Sequence, residues 1–234
     1  RNIGIVLSYT NTFLSMITGL FMSSFVLRQL GSTEYGVYQT ISSFVNYLVL
    51  LEFGTGTVMV RNLSACRANG DSQLVKERNI ATIWGIANGL ALLIALVSCV
   101  FFLLLDSIYS SSLTAEQIAS GKAMFIFIAI HLLGSYYSQT LSGIILAYEK
   151  YSYTSVVTIA KTLLRTAIVV VAILNFKQAL VLTIIDASLT ITQVLVGYVF
   201  CRKKLKIRVG IRGFDKQIFK ASLPLCLALF LQTV

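Results

Sequence analysis

The chain has 234 residues, of which 56% are hydrophobic and only 12% charged, with a mean hydropathy of +0.82. An ordinary soluble domain carries about 25% charged residues. This composition therefore excludes a soluble enzyme, a disordered chain and a disulfide-rich secreted scaffold. In a soluble protein, the net charge of +10 would suggest binding of nucleic acid. Because the cations here lie in segments that follow apolar runs, we predict no nucleic-acid partner.

Six apolar runs long enough to cross a membrane follow one another along the chain. They cover residues 3–27, 35–59, 80–105, 121–147, 154–174 and 179–200, and a seventh begins at Leu223. One such run could be a buried core helix, but six in succession predict an all-α integral membrane protein. The expected domains are a six-helix transmembrane lobe (1–200), a basic linker (201–221) and the start of a second lobe (222–234). Because the chain lacks an initial Met and stops inside an apolar run, we expect it to be part of a longer protein.

The positions of Lys and Arg predict the orientation in the membrane. Fourteen of the 19 fall on the side of the N-terminus, mainly in loop 60–79 and linker 201–221, and three fall on the opposite side. This asymmetry predicts a cytoplasmic N-terminus in the cytoplasmic (inner) membrane. In the linker, apolar residues alternate with the cations, which predicts contact with anionic membrane lipids.

The start of the fourth span carries a local helix signal. Thr114 is followed three residues later by Gln117, the pattern of a capping box, in which each side chain binds the other residue's backbone N–H. We therefore expect the fourth helix to begin directly after Thr114, and we assign this pair a structural role.

Four ionisable side chains fall inside the predicted spans, namely Glu52, Lys161, Arg165 and Asp186. Insertion of Asp, Lys or Arg at the centre of a membrane helix costs about 2.5–3.5 kcal/mol. Such groups are expected to face protein or water, and each is a functional candidate. At the helical rise per residue, they lie roughly 10–13 Å from a span end. The depths allow two ion pairs, Lys161 with Glu52 and Arg165 with Asp186.

Lys161 and Arg165 are four residues apart and share one face of the fifth span. Two outcomes stay open for this face. Without partners in a water-filled cavity, the two cations would form an anion site. Paired with the two carboxylates, they would be structural ion pairs in a nearly neutral cavity. Lys161 is also shallow enough for its ammonium group to reach the membrane surface.

Neutral polar residues recur at helical spacing on several spans. Among them are Asn46 in the second span, His131, Ser135 and Ser138 in the fourth, and Thr190 and Gln193 in the sixth. One such stripe would be interhelical packing, but several stripes together with charges favour a shared hydrophilic cavity. His131 alone is more typical of a hydrogen-bonded histidine than of a proton relay. Because no metal-ligand spacing and no Walker motif occurs, we predict no metal, no cofactor and no direct use of ATP.

Two segments resemble a known family. Arg28–Tyr38 reads R-Q-L-G-S-T-E-Y-G-V-Y and resembles the R-x-L-G-x-x-E-Y-G-x-Y stretch after the first helix of Wzx-type polysaccharide (O-antigen) flippases. These belong to the MOP superfamily, together with the MATE exporters. Leu51–Gly56, followed by Arg61, resembles the acidic stretch at the end of that family's second helix, although an Asp is common where this chain has Glu52.

The resemblance implies the N-terminal half of a transporter with two six-helix lobes around a central cavity. Such proteins are not enzymes; they flip undecaprenyl-pyrophosphate-linked oligosaccharides across the cytoplasmic membrane by alternating access. Expected partners are the lipid-linked oligosaccharide and other polysaccharide-assembly membrane proteins. Coupling to Na⁺ or H⁺ is expected in place of a cofactor. The predicted substrate-binding residues are Arg165, Lys161, Asn46, Ser135 and Gln193, and the predicted charge partners or ion-coupling residues are Glu52, Asp186 and His131.

Two other functions remain open at this stage. A MATE-like multidrug or cation antiporter would have an acidic cavity, whereas the spans here hold two basic and two acidic groups. A non-transport membrane scaffold would pack its polar stripes without water.

Overall fold

The computed structural model describes residues 2–49 and 54–233, with side chains described at residue 7, 9–43 and 54–228. These residues form seven α-helices and no strand. The helices are α1 (Asn2–Val49), α2 (Thr55–Ala68), α3 (Gln73–Tyr109), α4 (Ala115–Ala147), α5 (Tyr151–Phe176), α6 (Ala179–Lys203) and α7 (Lys216–Thr233).

Five helical segments of the described chain are long and apolar enough to cross a membrane. They are Tyr9–Ser43, Gln73–Tyr109, Ala115–Ala147, Tyr151–Phe176 and Ala179–Lys203. Their lengths of 25 residues or more exceed the roughly 20 residues that a bilayer core requires. The predicted fold class, an all-α integral membrane protein, is confirmed.

Helix α1 contains a sharp break at Gly31, whose backbone angles are φ 80° and ψ 166°. This conformation is essentially restricted to glycine, because a Cβ atom would clash with the neighbouring backbone. The predicted run 3–27 and the part of the run 35–59 that belongs to α1 therefore lie on either side of a single non-helical residue. A short turn at one glycine replaces the loop that their spacing had indicated.

The prediction that residues 60–79 form a loop is wrong over most of its length. α2 continues to Ala68 and α3 begins at Gln73, so the connection within the described chain is short. α2 is amphipathic, and its buried residues recur with helical spacing: Thr55, Val58, Met59, Leu63 and Cys66. Its basic residues had suggested a solvated loop, but they are compatible with the outer face of a helix.

The start of α4 confirms the predicted capping box. The Thr114 N–H donates to Oε1 of Gln117 at 2.8 Å, and the Gln117 N–H donates to Oγ1 of Thr114 at 3.3 Å. Both side chains thus satisfy backbone groups that the first helical turn leaves without partners.

The packing divides the chain into two compact units. The first comprises 1–46, 96–132 and 152–191, and the second comprises 47–95, 133–151 and 192–234. The first unit contains an apolar cluster of Met22, Val26, Val169, Ile173, Leu182 and Ile185 from α1, α5 and α6. In the second unit, α2 is hydrogen-bonded to α7 through Asn62, whose amide donates to the Ser222 hydroxyl at 2.9 Å.

Candidate functional site

An ion pair joins α5 and α6 inside the first unit. Arg165 Nε donates to Asp186 Oδ1 at 2.5 Å, and Nη2 donates to Oδ2 at 2.8 Å. The Asp186 side chain is 17% exposed and that of Arg165 is 37% exposed. This bidentate arrangement fixes the plane of the guanidinium group as well as its position. Of the two pairings that depth allowed, the structure contains this one.

The geometry of the pair leaves part of the Arg165 guanidinium available. A guanidinium group has five N–H donors, and the pair uses Nε–H and one hydrogen of Nη2. Of the remaining three hydrogens, one on Nη1 and one on Nη2 form a second edge that the carboxylate does not occupy. Two nitrogens side by side on this edge match the oxygens of a phosphate group. Arg165 can therefore be paired with Asp186 and still bind an anion.

A second set of hydrogen bonds lies one helical turn away. Lys161 Nζ donates to the Thr190 hydroxyl at 3.0 Å, and this fully buried hydroxyl lies 2.8 Å from His131 Nδ1. The same nitrogen lies 3.1 Å from the backbone oxygen of Asp186. Since a carbonyl oxygen only accepts hydrogen bonds, this contact fits an N–H at Nδ1. His131 of α4 is thereby fixed to α6.

The structure thus brings four of the predicted site residues together: Arg165, Lys161, Asp186 and His131. We call these four residues and Thr190 the charged cluster. It holds two basic groups and one carboxylate, so the cluster is less basic than two unpaired cations would make it. The sequence left two outcomes open, an anion site of two unpaired cations or a nearly neutral set of two ion pairs. The cluster has one ion pair and one further cation, and is thus intermediate between them.

The other four predicted site residues do not belong to the charged cluster or lie outside the described residues. Glu52 and the side chain of Asn46 lie outside the described residues. Ser135 and Gln193 belong to the second unit, where both are half-buried. Their roles, and the pairing of Lys161 with Glu52, stay predictions.

A cavity of about 200 Å³ opens beside Arg165 in the first unit. Both arms of α1 contribute to it, together with α5 and α6. Its walls include Met22, Val26, Tyr35, Tyr38, Arg165 and Leu182. The sequence reasoning did not assign the two tyrosines to a site, although both lie in the segment that resembles the family motif. The signal in the sequence that could have identified these tyrosines is that they lie three residues apart, shortly after Gly31.

Glu34, also in that segment, binds the start of α6. The Ala179 N–H donates to Glu34 Oε1 at 2.8 Å. The first N–H groups of a helix have no partner within the helix, and its N-terminus favours a negative charge. Glu34 supplies both an acceptor and a charge, so the chain after the Gly31 break is fixed to the helix that carries Asp186.

These features define a multi-pass α-helical membrane protein with a charged cluster inside its spans. Residues 3–234 match the protein family described as "Polysaccharide biosynthesis protein". The chain belongs to this family, that of the Wzx-type polysaccharide flippases in the MOP superfamily, and the resemblance found in the sequence is confirmed. Members of the family are transporters or flippases rather than enzymes. No curated protein and no solved structure gives a significant match.

Proposed function

We propose that the chain is the N-terminal part of a flippase for undecaprenyl-pyrophosphate-linked oligosaccharides. The substrate moves from the cytoplasmic to the outer leaflet of the inner membrane by alternating access of two lobes. In this proposal, residues 1–200 form the first lobe, 201–221 a cytoplasmic linker, and 222–234 the start of the second lobe. The family supports a polysaccharide-related export role, and the charged cluster supports an anionic substrate group.

The observation that carries the proposal is the available edge of the Arg165 guanidinium. Asp186 orients this group through two hydrogen bonds and leaves the Nη1 and Nη2 edge unused by the pair. A diphosphate offers adjacent oxygens that such an edge can bind in a bidentate manner. Lys161, on the same face of α5, adds a second positive charge for the diphosphate.

The carboxylates serve a second role in this proposal. Binding of an anion beside Asp186 is unfavourable while that carboxylate is charged, because like charges repel in a medium of low dielectric constant. A cation bound beside Asp186 would reduce this repulsion, and the carboxylate would still hold Arg165. In this proposal the coupling ion is Na⁺ or H⁺, and the candidate coupling residues are Glu52, Asp186 and His131.

The test is complementation of a strain that lacks its own flippase, with the full-length protein at equal membrane levels. We expect Arg165→Ala to abolish export of the surface glycan and Arg165→Lys to restore it in part, because lysine keeps the charge but not the bidentate edge. Lys122→Ala is the matched control, since Lys122 also forms an ion pair within the first unit, with Asp106. Normal export by Arg165→Ala would contradict the assignment of Arg165.

A further inference from the structure

The cavity beside Arg165 has two kinds of wall. Met22, Val26, Val169 and Leu182 give it an apolar side that is continuous with the buried cluster of the first unit. Tyr35, Tyr38 and Gln39 give it a side with two aromatic rings, two phenol hydroxyls and an amide. Arg165 also lines the cavity. Such a mixture of ring faces and separated polar groups is suited to a ligand that is itself amphipathic.

A sugar ring has this character, because its C–H groups form apolar faces while its hydroxyl groups project from the edge. The rings of Tyr35 and Tyr38 are 6.2 Å apart, tilted by 44° to each other, and both are half-buried. Gln39, on the same helical arm, has an exposed side chain with both donor and acceptor atoms. The ring faces can pack against sugar C–H groups while the amide and phenols bind hydroxyls.

The cavity is of the size of a single sugar ring. Pockets for drug-sized molecules occupy about 300–1,000 Å³, and this cavity has about 200 Å³. One monosaccharide can lie inside it, and the following sugars of an oligosaccharide would extend out of its opening. A hydrocarbon chain of the carrier lipid is disfavoured, since it would cover Arg165, Gln39 and the phenol groups without offering them hydrogen bonds.

We propose that the cavity binds the sugar residue that is attached directly to the diphosphate. This inference rests on the proposed function, in which the edge of Arg165 binds the diphosphate at the wall of the same cavity. Binding there places the first sugar between Tyr35, Tyr38 and Gln39. The two contacts together distinguish a glycan-loaded carrier from the bare lipid diphosphate.

The test uses the purified full-length protein in nanodiscs and two ligands, undecaprenyl diphosphate and the same lipid bearing one hexose. The measured quantity is the ratio of the two dissociation constants. We expect the hexose to tighten binding to the wild-type protein and Gln39→Ala to reduce this gain by about 2- to 10-fold, the effect of one lost hydrogen bond. Tyr35→Phe and Tyr38→Phe, which keep the rings, should each reduce it within the same range. The matched control is Asn175→Ala. The Asn175 amide is exposed, and its recorded hydrogen bond is to the Val171 oxygen of the same helix.

The outcomes separate the two proposals. If the hexose adds no affinity to the wild-type protein, or if Gln39→Ala weakens both ligands equally, the sugar site is wrong. In either case, weaker binding of both ligands by Arg165→Ala would still support the diphosphate site. If Arg165→Ala changes neither dissociation constant, the proposed function fails at its central residue, and the sugar site that depends on it fails as well.

Discussion

The carboxylate of Glu34 accepts a hydrogen bond from the Ala179 N–H at 2.8 Å, although the two residues are 145 positions apart. This contact connects the chain after the Gly31 break to the N-terminus of α6. α6 carries Asp186 seven residues further on, about two helical turns away. The motif residue Glu34 therefore fixes the helix that positions Arg165, without itself being part of the charged cluster.

Replacement of Glu34 should lower stability in two steps. Glu34→Gln keeps an acceptor but loses the charge at the N-terminus of α6, an effect of about 0.3–1 kcal/mol. Glu34→Ala also loses the acceptor, and removal of a helix cap costs about 0.5–2 kcal/mol. Thermal unfolding in detergent should rank the wild type first, Glu34→Gln second and Glu34→Ala last. Glu77→Ala is the control, because the recorded hydrogen bond of the half-buried Glu77 is an exposed contact with Gln73, one turn away in the same helix. Equal unfolding temperatures for all four proteins would contradict a capping role.

The sequence predicted the fold class and the approximate positions of α3 to α6 because each is a long apolar run, and run length is sufficient to identify a membrane helix. It did not predict the turn at Gly31. One glycine in a polar segment is compatible with either a loop or a kink, and only the packing of the two arms distinguishes them. It also missed α2, since an amphipathic helix with low mean hydropathy and two arginines has the composition of a solvated loop.

The candidate site was predictable in part for a related reason. Depth in the membrane can be counted from the sequence, so Arg165 and Asp186 were identified as a possible pair. The partner of Lys161 could not be identified in this way. Thr190 is one of several hydroxyl residues at a suitable depth, and the rotation of each helix about its axis determines which of them faces Lys161. Tyr38 and Glu34 act through contacts with distant helices, which spacing along the chain does not reveal.

A double replacement should separate the structural from the functional role of the ion pair. Arg165→Met or Asp186→Leu alone leaves the other charge without its partner and should destabilise the protein by on the order of 1–3 kcal/mol. The double variant, with apolar side chains at both positions, should recover most of this stability. Export should remain absent, because the diphosphate contact is lost. Recovery of export together with stability would mean that the pair is purely structural.

The backbones of α2 and α4 approach so closely that Gly143 should not tolerate a larger residue. A Cβ atom at Gly143 would lie 2.5 Å from the Gly56 backbone oxygen and 3.0 Å from Met59 Cβ. Gly143→Ala therefore requires the helices to separate, at a cost of about 1–3 kcal/mol. Gly89→Ala, in α3, is the matched control, because no atom beyond its own stretch of helix lies within 4 Å of its Cβ position. This control should be neutral or stabilising, and equal losses of folded protein in both variants would contradict the close approach.

Alkylation of Cys66 should depend on pH in a way that reports its burial. Cys66 is 8% exposed in α2, outside the membrane-spanning segments. Burial raises the pKa of its thiol, and the nearby Asp71 carboxylate raises it further. Since the thiolate is the reactive form, labelling by a maleimide should be slow at pH 7 and should increase up to and beyond pH 9. A cysteine introduced by Ser72→Cys, at an exposed position, should react faster at every pH in this range. Equal rates at pH 7 would contradict the buried state of Cys66.

The linker between α6 and α7 should contact anionic lipids through residues that the fold leaves exposed. Ile211 is 56% exposed and is flanked by the exposed cations Arg208 and Arg212. Phe214 packs against Gly85 and thereby holds the linker on α3. An exposed apolar residue between cations is typical of a segment that inserts into the headgroup region of an anionic leaflet. The test attaches a fluorophore after Ile211→Cys, in a background where Ser replaces the native cysteines Cys66, Cys99, Cys201 and Cys226. This fluorophore should be quenched more strongly by brominated phosphatidylglycerol than by brominated phosphatidylcholine. High salt should reduce this difference, because it screens the cations. The control is a fluorophore attached after Ser112→Cys in the same background, in a connection without basic residues, and it should show no such preference. Equal quenching by both lipids at the linker would contradict the proposed contact.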